Sequence, residues 1–460
     1  MNNADTISNN NPLGTAPIGK LLVKFAVPTI VSTLAASLYN IVDQIFIGQR
    51  IGYLGNAATT VAYPMTIMMG ALSLLFSNGS TVNFNVANGA GKKEDALYYA
   101  GNCLSLMLIE GTVLALVIGI FTPFFTNLFG ATEEVFPYAL TYMRTVAIGL
   151  PCLAVTSGGT LLIRSDGDPR YALICSLSGV GINYFLDWLF LFPLDMGITG
   201  AALATILGQI ISMILVVIYM KRFRTGKLHI YHFRVNAERF FQIISIGAAA
   251  SLNQLAMFLM NLILNSSLRY YGALSIYGAS EALAAAGVVT KINFLFYSTV
   301  VGCGIGGSPI IGYNYGAGKY ERIKDAYVRI LSFSFVIGII ETICFRYFPG
   351  NILSMFGGAD GGYKDFALLY MQIFMMLVIL AGIPPVSMNL MSSIKKPVKG
   401  VVISLSKQLI LILALLILPR LYGIYGVLYA GPAADLIASV GSFVVVRQEF
   451  RLLNEQVHSQ

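Results

Sequence analysis

Five acidic side chains lie inside long apolar stretches of this chain of 460 residues. They are Asp43, Glu110, Asp187, Glu341 and Asp435. A carboxylate in a lipid-embedded helix is costly, so each such residue is a candidate functional group by default. Burial disfavours the charged form of a carboxylate, and a second carboxylate nearby disfavours it further. These residues therefore suggest the uptake and release of a proton or another cation.

Asp43 and Asp187 are the first candidate cation-coupling site. Asn40 lies three residues before Asp43 and Asn183 lies four residues before Asp187, so each amide shares a helix face with its carboxylate. Two carboxylates facing one cavity could exchange a proton for a cationic substrate. With the amide oxygens, they could instead hold Na⁺. The alternative is that one of them caps a helix end or pairs with Arg50.

Other polar and flexible side chains are weaker candidates. Thr205 is expected beside the cation-coupling site, and Tyr39 is a candidate for substrate binding. Asp435 could pair with Lys407, in a role that is either structural or in substrate binding. Met257 is one of several methionines whose flexible thioethers suit a promiscuous pocket, with ordinary packing as the alternative.

Three further residues lie within apolar spans. Glu110 and Glu341 are mid-span and are expected to face the bundle interior and bond to neighbouring helices. Pro28 lies inside the first span, where a proline frees a carbonyl and weakens the helix. A hinge at Pro28 could move the first acidic residue toward or away from a cavity. A static kink satisfied by neighbouring helices is the alternative.

The elements that position these residues are predicted to be membrane helices. The chain is 56% hydrophobic and 11% charged, whereas a soluble domain carries about 25% charged residues. Lipid must therefore cover much of the surface. Twelve apolar runs predict an all-α membrane protein with twelve transmembrane helices. The spans are 21–48, 57–85, 98–121, 138–160, 171–192 and 198–220, then 240–267, 282–311, 327–348, 365–392, 399–419 and 424–446.

Polar segments divide the chain into two lobes. An N-lobe at 21–220 and a C-lobe at 240–446 flank a linker at 221–239, with tails at 1–20 and 447–460. With the N-terminus inside, most of the 29 Lys and Arg residues fall on the cytoplasmic side. Both termini are thus expected in the cytoplasm of a multi-pass protein of the cell inner (plasma) membrane. The net charge of +8 is attributed to this bias and not to nucleic-acid binding.

Short motifs recur in the two halves at nearly constant offsets. Residues 89–94 (GAGKKE) recur as 316–321 (GAGKYE), and 197–200 (GITG) recur as 423–426 (GIYG). Six spans separate the copies, so both halves have the same membrane orientation and form a parallel repeat. Two pseudo-symmetric six-helix lobes leave a central cleft, which is the architecture of alternating access.

These motifs carry a family resemblance. Pro28 with residues 39–43 (YNIVD), the GAGK loops, residues 183–187 (NYFLD) and residues 197–202 (GITGAA) are similar to the multidrug and toxic compound extrusion (MATE) family. The chain resembles its prokaryotic DinF-like and MepA-like branch over nearly its whole length. The resemblance implies a cation-coupled exporter of organic cations and other amphipathic compounds, and it matches Asp43 and Asp187 to the N-lobe acidic site of the family.

The C-lobe departs from part of the family. Gln254 and Gln372 stand where the Na⁺-coupled branch carries a Glu and an Asp. Neutral amides cannot supply the charge of a cation site, so coupling is expected through the N-lobe. Both glutamines are candidates for substrate binding instead.

The predicted function is antiport, with H⁺ favoured over Na⁺ and small organic compounds exported. The alternatives are a Na⁺-coupled exporter and a lipid-linked sugar flippase, whose cleft should carry several basic residues for phosphates. An enzyme is not expected, because no nucleophile–base or metal constellation is found and no His lies in a span. No cofactor is expected, and no metal apart from Na⁺ at Asp43 and Asp187. The protein is expected to be a monomer in the lipid bilayer.

Overall fold

The computed structural model describes residues 12–51, 53–129, 131, 133–354 and 362–458. All regular elements in these ranges are helices. Eleven of them are long and apolar enough to cross a membrane, and a bent pair makes a twelfth span. The prediction of an all-α membrane protein is confirmed.

The twelve helices are labelled α1 to α12. Those of the N-lobe are α1 (Ile18–Arg50), α2 (Tyr53–Gly89), α3 (Lys93–Ile120), α4 (Phe136–Ser165), α5 (Pro169–Leu191) and α6 (Gly197–Met220). Those of the C-lobe are α7 (Ala237–Ala273), α8 (Ala279–Gly316), α9 (Tyr320–Tyr347), the bent α10 (Gly362–Ser393), α11 (Pro397–Tyr422) and α12 (Ile424–His458). Several helices extend beyond their predicted apolar spans, and α12 continues through most of the expected C-terminal tail.

The repeated motifs adopt the same backbone conformation in both lobes. Gly91 after α2 has φ +76°, and Gly318 after α8 has φ +68°. Gly197 at the start of α6 and Gly423 before α12 both have φ +58°. Glycine adopts this left-handed region without the steric cost of a side chain. The sequence repeat is thus a structural repeat.

Helix α10 differs from the continuous span expected at 365–392. Its two parts, Tyr363–Phe374 and Val378–Ser393, are bent by 49°. A π-helical turn covers Tyr370–Phe374, and regular α-helix resumes at Ile383. Pro384 and Pro385 cannot donate to the preceding turn, which explains why the α-helix must restart there. Hydropathy does not register this break, because the residues on both sides are apolar.

The lobes pack together at the end of the bundle that carries Lys92, Lys319 and Lys395, here called the basic end. There, glycines bring helices of opposite lobes to backbone contact. A Cβ on Gly79 of α2 would overlap the carbonyl oxygen of Ile243 in α7, and a Cβ on Gly247 of α7 would overlap that of Leu75 in α2. The repeat-related Gly89 and Gly316 make the same kind of contact with Tyr313 and Val86, respectively.

The hydrophobic clusters show where the lobes part. The two large clusters that reach the basic end each join both lobes, through Ile243 in one and Phe25 in the other. In the opposite half, the clusters around Phe366 and around Ile47 contain described residues of a single lobe. The described helices are therefore packed across the two lobes at the basic end, whereas in the opposite half each of these hydrophobic clusters belongs to one lobe.

The linker between the lobes is docked on the N-lobe. It runs from residue 221 to 236 and contains a short 3-10 turn at Ile230–Phe233. Asn102 of α3 donates to the carbonyl oxygens of His232 (3.0 Å) and Arg234 (3.2 Å). The His232 imidazole is fully buried and lies 3.0 Å from Glu94. The linker therefore belongs to the N-lobe body.

A buried carboxyl fixes the start of the linker. Asp166, in the loop between α4 and α5, accepts bonds from the backbone N–H of Arg224 (2.6 Å) and Thr225 (2.8 Å) and from the hydroxyls of Thr225 and Tyr219. Burial raises the pKa of Asp166 above its ordinary value, although these four bonds oppose the rise. The loop and the linker thus move as one unit.

Candidate functional site

Asp43 of α1 and Asp187 of α5 meet inside the N-lobe. They are 8% and 0% exposed. Their carboxyl groups are close enough to interact electrostatically. Neither carboxylate oxygen of Asp187 has a hydrogen-bond partner among the described residues. Two carboxyl groups this close in a low-dielectric site cannot both ionise without a large cost. The geometry suits a pair that holds one exchangeable cation.

Asn183 and Tyr184 complete the α5 side of this pair. Asn183 is 3% exposed and interacts with Asp187 one turn further along the helix. The phenol of Tyr184 lies within electrostatic range of both carboxyl groups. Sequence reasoning missed Tyr184, although it stands next to Asn183 in the quoted motif.

Close packing of α5 and α6 sets the position of Thr205. A Cβ on Gly208 of α6 would lie 2.7 Å from the carbonyl oxygen of Gly179 and 3.1 Å from the Cβ of Asn183. The two helices are antiparallel, so Thr205 lies at about the depth of Asp187. Its hydroxyl donates to the carbonyl oxygen of Ala201 at 3.1 Å. Thr205 therefore lies level with Asp187, and its part in the cation-coupling site stays a prediction.

An apolar layer separates the acidic pair from the opposite end. Ile47 and Leu191 each follow one of the two aspartates by one turn, and both are fully buried. Beyond them, the guanidinium of Arg50 donates to Asp195 (2.9 Å) and to the carbonyl oxygen of Leu191 (3.2 Å). Arg50 thus pairs with Asp195 at the helix ends and not with the two buried aspartates.

Three further candidates, Tyr39, Asn40 and Pro28, belong to the same helix as Asp43. The side chains of Tyr39 and Asn40 lie outside the described residues. Pro28 lies within α1, which continues through it. Next to it, the Thr29 hydroxyl donates to the Phe25 carbonyl oxygen, and one turn later the Ser32 hydroxyl donates to that of Pro28. The hinge at Pro28 stays a prediction.

The substrate-binding candidates lie in the C-lobe, apart from the acidic pair. Gln254 and Met257 are half-buried on α7, and Gln372 is exposed in the π-helical turn of α10. Asp435 of α12 is 6% exposed and makes an ion pair of 2.6 Å with Lys407 of α11. The structure shows the expected ion pair, and a substrate-binding role for these four residues stays a prediction.

Glu110 and Glu341 each bond to a neighbouring helix. The Ser73 hydroxyl of α2 donates to Glu110 at 3.0 Å, and the Asn293 amide of α8 donates to Glu341 at 2.8 Å. The two glutamates are 6% and 4% exposed. They lie in α3 and α9, the third helix of each lobe, but about one turn apart in the repeat.

Two pseudo-symmetric six-helix membrane lobes, with a carboxyl pair buried in one of them, have the architecture of a membrane transporter. The family model MatE matches residues 28–189 and 249–417. The chain therefore belongs to the MATE family, whose members are transporters.

Curated relatives match nearly the full length. A protein named FAD transporter from Shewanella oneidensis is 24% identical over 452 residues, covering 96% of this chain and 97% of the relative. The multidrug export protein MepA from Staphylococcus aureus is 23% identical over 434 residues, 94% of each chain. The probable multidrug resistance protein YoeA from Bacillus subtilis is 25% identical over 341 residues, 72% of each chain.

Solved structures match the fold. A multidrug resistance MATE family transporter in an outward-facing conformation superposes with a TM-score of 0.88 at 20% sequence identity, covering 99% of both chains. A MATE protein in a bent conformation gives a TM-score of 0.88 at 21% identity, with the same coverage. These likenesses establish the two-lobed helical architecture.

Proposed function

We propose that the protein is a proton-driven antiporter that exports amphipathic organic cations, with the coupling proton carried by Asp43 and Asp187. The observation that carries this proposal is the contact of two buried carboxyl groups in the N-lobe. One proton shared between them reduces the repulsion, and its loss leaves a site that attracts a cation. Proton and cationic substrate therefore compete for the same charge.

Packing of the two lobes at the basic end supports transport by alternating access. The positive-inside bias supports a cytoplasmic position for this end, so the opposite end would face outward. When the opposite end is open to water, the pair takes up a proton from outside and substrate leaves. Opening of the basic end then releases the proton to the cytoplasm and admits the next substrate.

Substrate choice is proposed from the relatives. MepA is named a multidrug export protein, which supports export of varied organic compounds. The relative named FAD transporter makes a flavin dinucleotide the second candidate cargo. Uptake of FAD against uptake of ethidium into the same inverted vesicles distinguishes the two.

The test measures ethidium transport under an imposed pH gradient, with and without Na⁺. We expect transport with no Na⁺ in wild type and at least a tenfold loss in Asp43→Asn and in Asp187→Asn, because neither amide can exchange a proton. Asp195→Asn is the matched control, since it makes the same change on the exposed partner of Arg50 and should keep most of the activity. Transport that requires Na⁺, or wild-type transport by Asp43→Asn, would contradict the proposal.

A further inference from the structure

A second charged cluster lies inside the C-lobe. The ammonium of Lys407 on α11 lies 2.6 Å from Asp435 on α12. Glu341 on α9 interacts electrostatically with both of them. The Glu341 carboxyl is 4% exposed and also accepts the bond from Asn293 on α8. Four helices thus converge on this cluster, so it faces the lobe interior and not lipid.

Polar groups of α7 and α8 also lie near Lys407 and its neighbour on α11. The phenol of Tyr297 on α8 lies within electrostatic range of Lys407. The next residue on α11, Gln408, donates to Asn253 of α7 at 2.9 Å. The side chain of Lys407 keeps 25% of its surface exposed. The side chain of its partner Asp435 is only 9% exposed, so the pair is largely enclosed by the lobe.

The broken part of α10 lies against the same faces of α9 and α12. Gly338 precedes the α9 carboxyl by one turn, and its Cβ would lie 2.7 Å from the Cα of Ile379. Gly431 precedes the α12 carboxyl by one turn, and its Cβ would lie 2.6 Å from the carbonyl oxygen of Phe374. Discontinuous helices adjoin ion sites in other transporter folds, because unwound backbone can rearrange there.

The charges of the cluster do not balance. Two carboxylates and one ammonium leave one negative charge when all three are ionised. An uncompensated charge in a lobe interior is costly, so one further positive charge is needed. A metal ion would face the Lys407 ammonium beside the same carboxylates, whereas a proton on Glu341 adds no such repulsion.

We propose that Glu341, Lys407 and Asp435 form a second proton-exchange site, in which Glu341 carries the proton and Lys407 is shared between the two carboxylates. When the proton leaves Glu341 for water, the cluster gains one negative charge. Lys407 moves between the carboxylates, and an organic cation in the cleft offsets the added charge. The use of this proton in export rests on the proposed function, whereas its binding does not.

The described part of the N-lobe shows no such ion pair. Gln209 stands at the repeat position of Asp435, and Glu110 on α3 accepts a bond from Ser73. Glu110 is therefore the control for Glu341, because it is a buried mid-span glutamate on the third helix of its own lobe and forms no ion pair with a described lysine.

The test is infrared spectroscopy of the full-length protein in vesicles, which detects the carbonyl band of protonated carboxyl groups without transport. We expect Glu341→Gln to remove one protonated carboxyl at neutral pH. Asp435→Asn should remove the same band although Glu341 is present, because Lys407 then pairs with Glu341. Lys407→Gln should instead add one protonated carboxyl, because both acids lose their cation.

A loss of the band in Asp435→Asn and a gain in Lys407→Gln would distinguish a proton site from a packing role. Glu110→Gln should remove its own signal and leave both responses unchanged. The proposal is wrong if Glu341→Gln leaves the band unaltered, or if Na⁺ abolishes the band at constant pH, which would assign a sodium site. If Lys407→Gln does not fold, loss of the band in both Glu341→Gln and Asp435→Asn still supports the proton site, and its persistence in either one contradicts it. A normal band in a protein that does not transport would refute the export proposal alone.

Discussion

At the scale of single residues, the acidic pair could be predicted and its partners only in part. Asp43 and Asp187 stand out because carboxylates are rare in apolar spans, and Asn183 follows from helical spacing. Tyr184 could not be found this way, because spacing along α5 does not reveal which face approaches α1. The approach of Glu341 to the Lys407 pair is likewise set by how α9, α11 and α12 pack.

The Lys407–Asp435 pair gives a stability prediction. Asp435→Ala should lower the free energy of unfolding by about 1–3 kcal/mol, because Lys407 loses its carboxylate partner at 2.6 Å and must pair with the more distant Glu341. The double change Lys407→Met, Asp435→Leu should recover most of that loss, since no charge then remains buried without a partner. Thermal unfolding in detergent measures both.

An exposed ion pair supplies the control for this measurement. Asp325 and Arg329 pair on the surface of α9 at 2.7 Å with both side chains well exposed. Asp325→Ala should therefore cost less than about 0.5 kcal/mol. Equal losses for Asp325→Ala and Asp435→Ala would show that the interior pair contributes no more than a surface pair.

At the scale of elements, hydropathy located the helices but not their interruptions. The twelve apolar runs match the twelve spans because a lipid-covered helix must be apolar over about 20 residues. The sequence does not predict the break in α10, because the stretch around Tyr370–Phe374 contains no charged residue and is apolar overall. The linker was read as a polar spacer, whereas backbone carbonyls of His232 and Arg234 accept bonds from α3. Composition cannot report such docking.

Loss of this docking should make the linker accessible. Asn102→Ala removes two hydrogen bonds, and a loss of about 1.4 kcal/mol raises the undocked fraction about tenfold. Limited proteolysis with trypsin should then cut the linker about tenfold faster. Asn261→Ala is the control, because the Asn261 amide donates to Met257 within its own helix. Unchanged cleavage in Asn102→Ala would show that other contacts hold the linker.

At the scale of the whole molecule, the parallel repeat predicted two lobes but not their relative position. Repeated motifs determine how each lobe folds. They are compatible with lobes that are packed together at the basic end and with lobes that are packed together at the opposite end. Which end is closed depends on the contacts between lobes, such as Gly247 on Leu75. These contacts join residues far apart in the chain and leave no periodic signal.

The glycine contacts predict how to separate the lobes at the basic end. Gly247→Ala places a methyl group against the carbonyl oxygen of Leu75 and should disfavour closure of the basic end. Spin labels at the exposed Lys93→Cys and Lys324→Cys should then report a larger share of long distances. Gly441→Ala is the control, because a Cβ there meets nothing within 4 Å. An unchanged distance distribution in Gly247→Ala would mean that the contact between the lobes adjusts without opening.

The docked linker also offers a binding site for a marker in electron microscopy. Ile230 at its 3-10 turn is 87% exposed, while His232 beside it is fixed in the N-lobe. A small antibody fragment raised against this turn would bind the N-lobe and leave the C-lobe free to move. It would add a recognisable mass outside the detergent belt for electron microscopy, without choosing between the conformations that the particles sample.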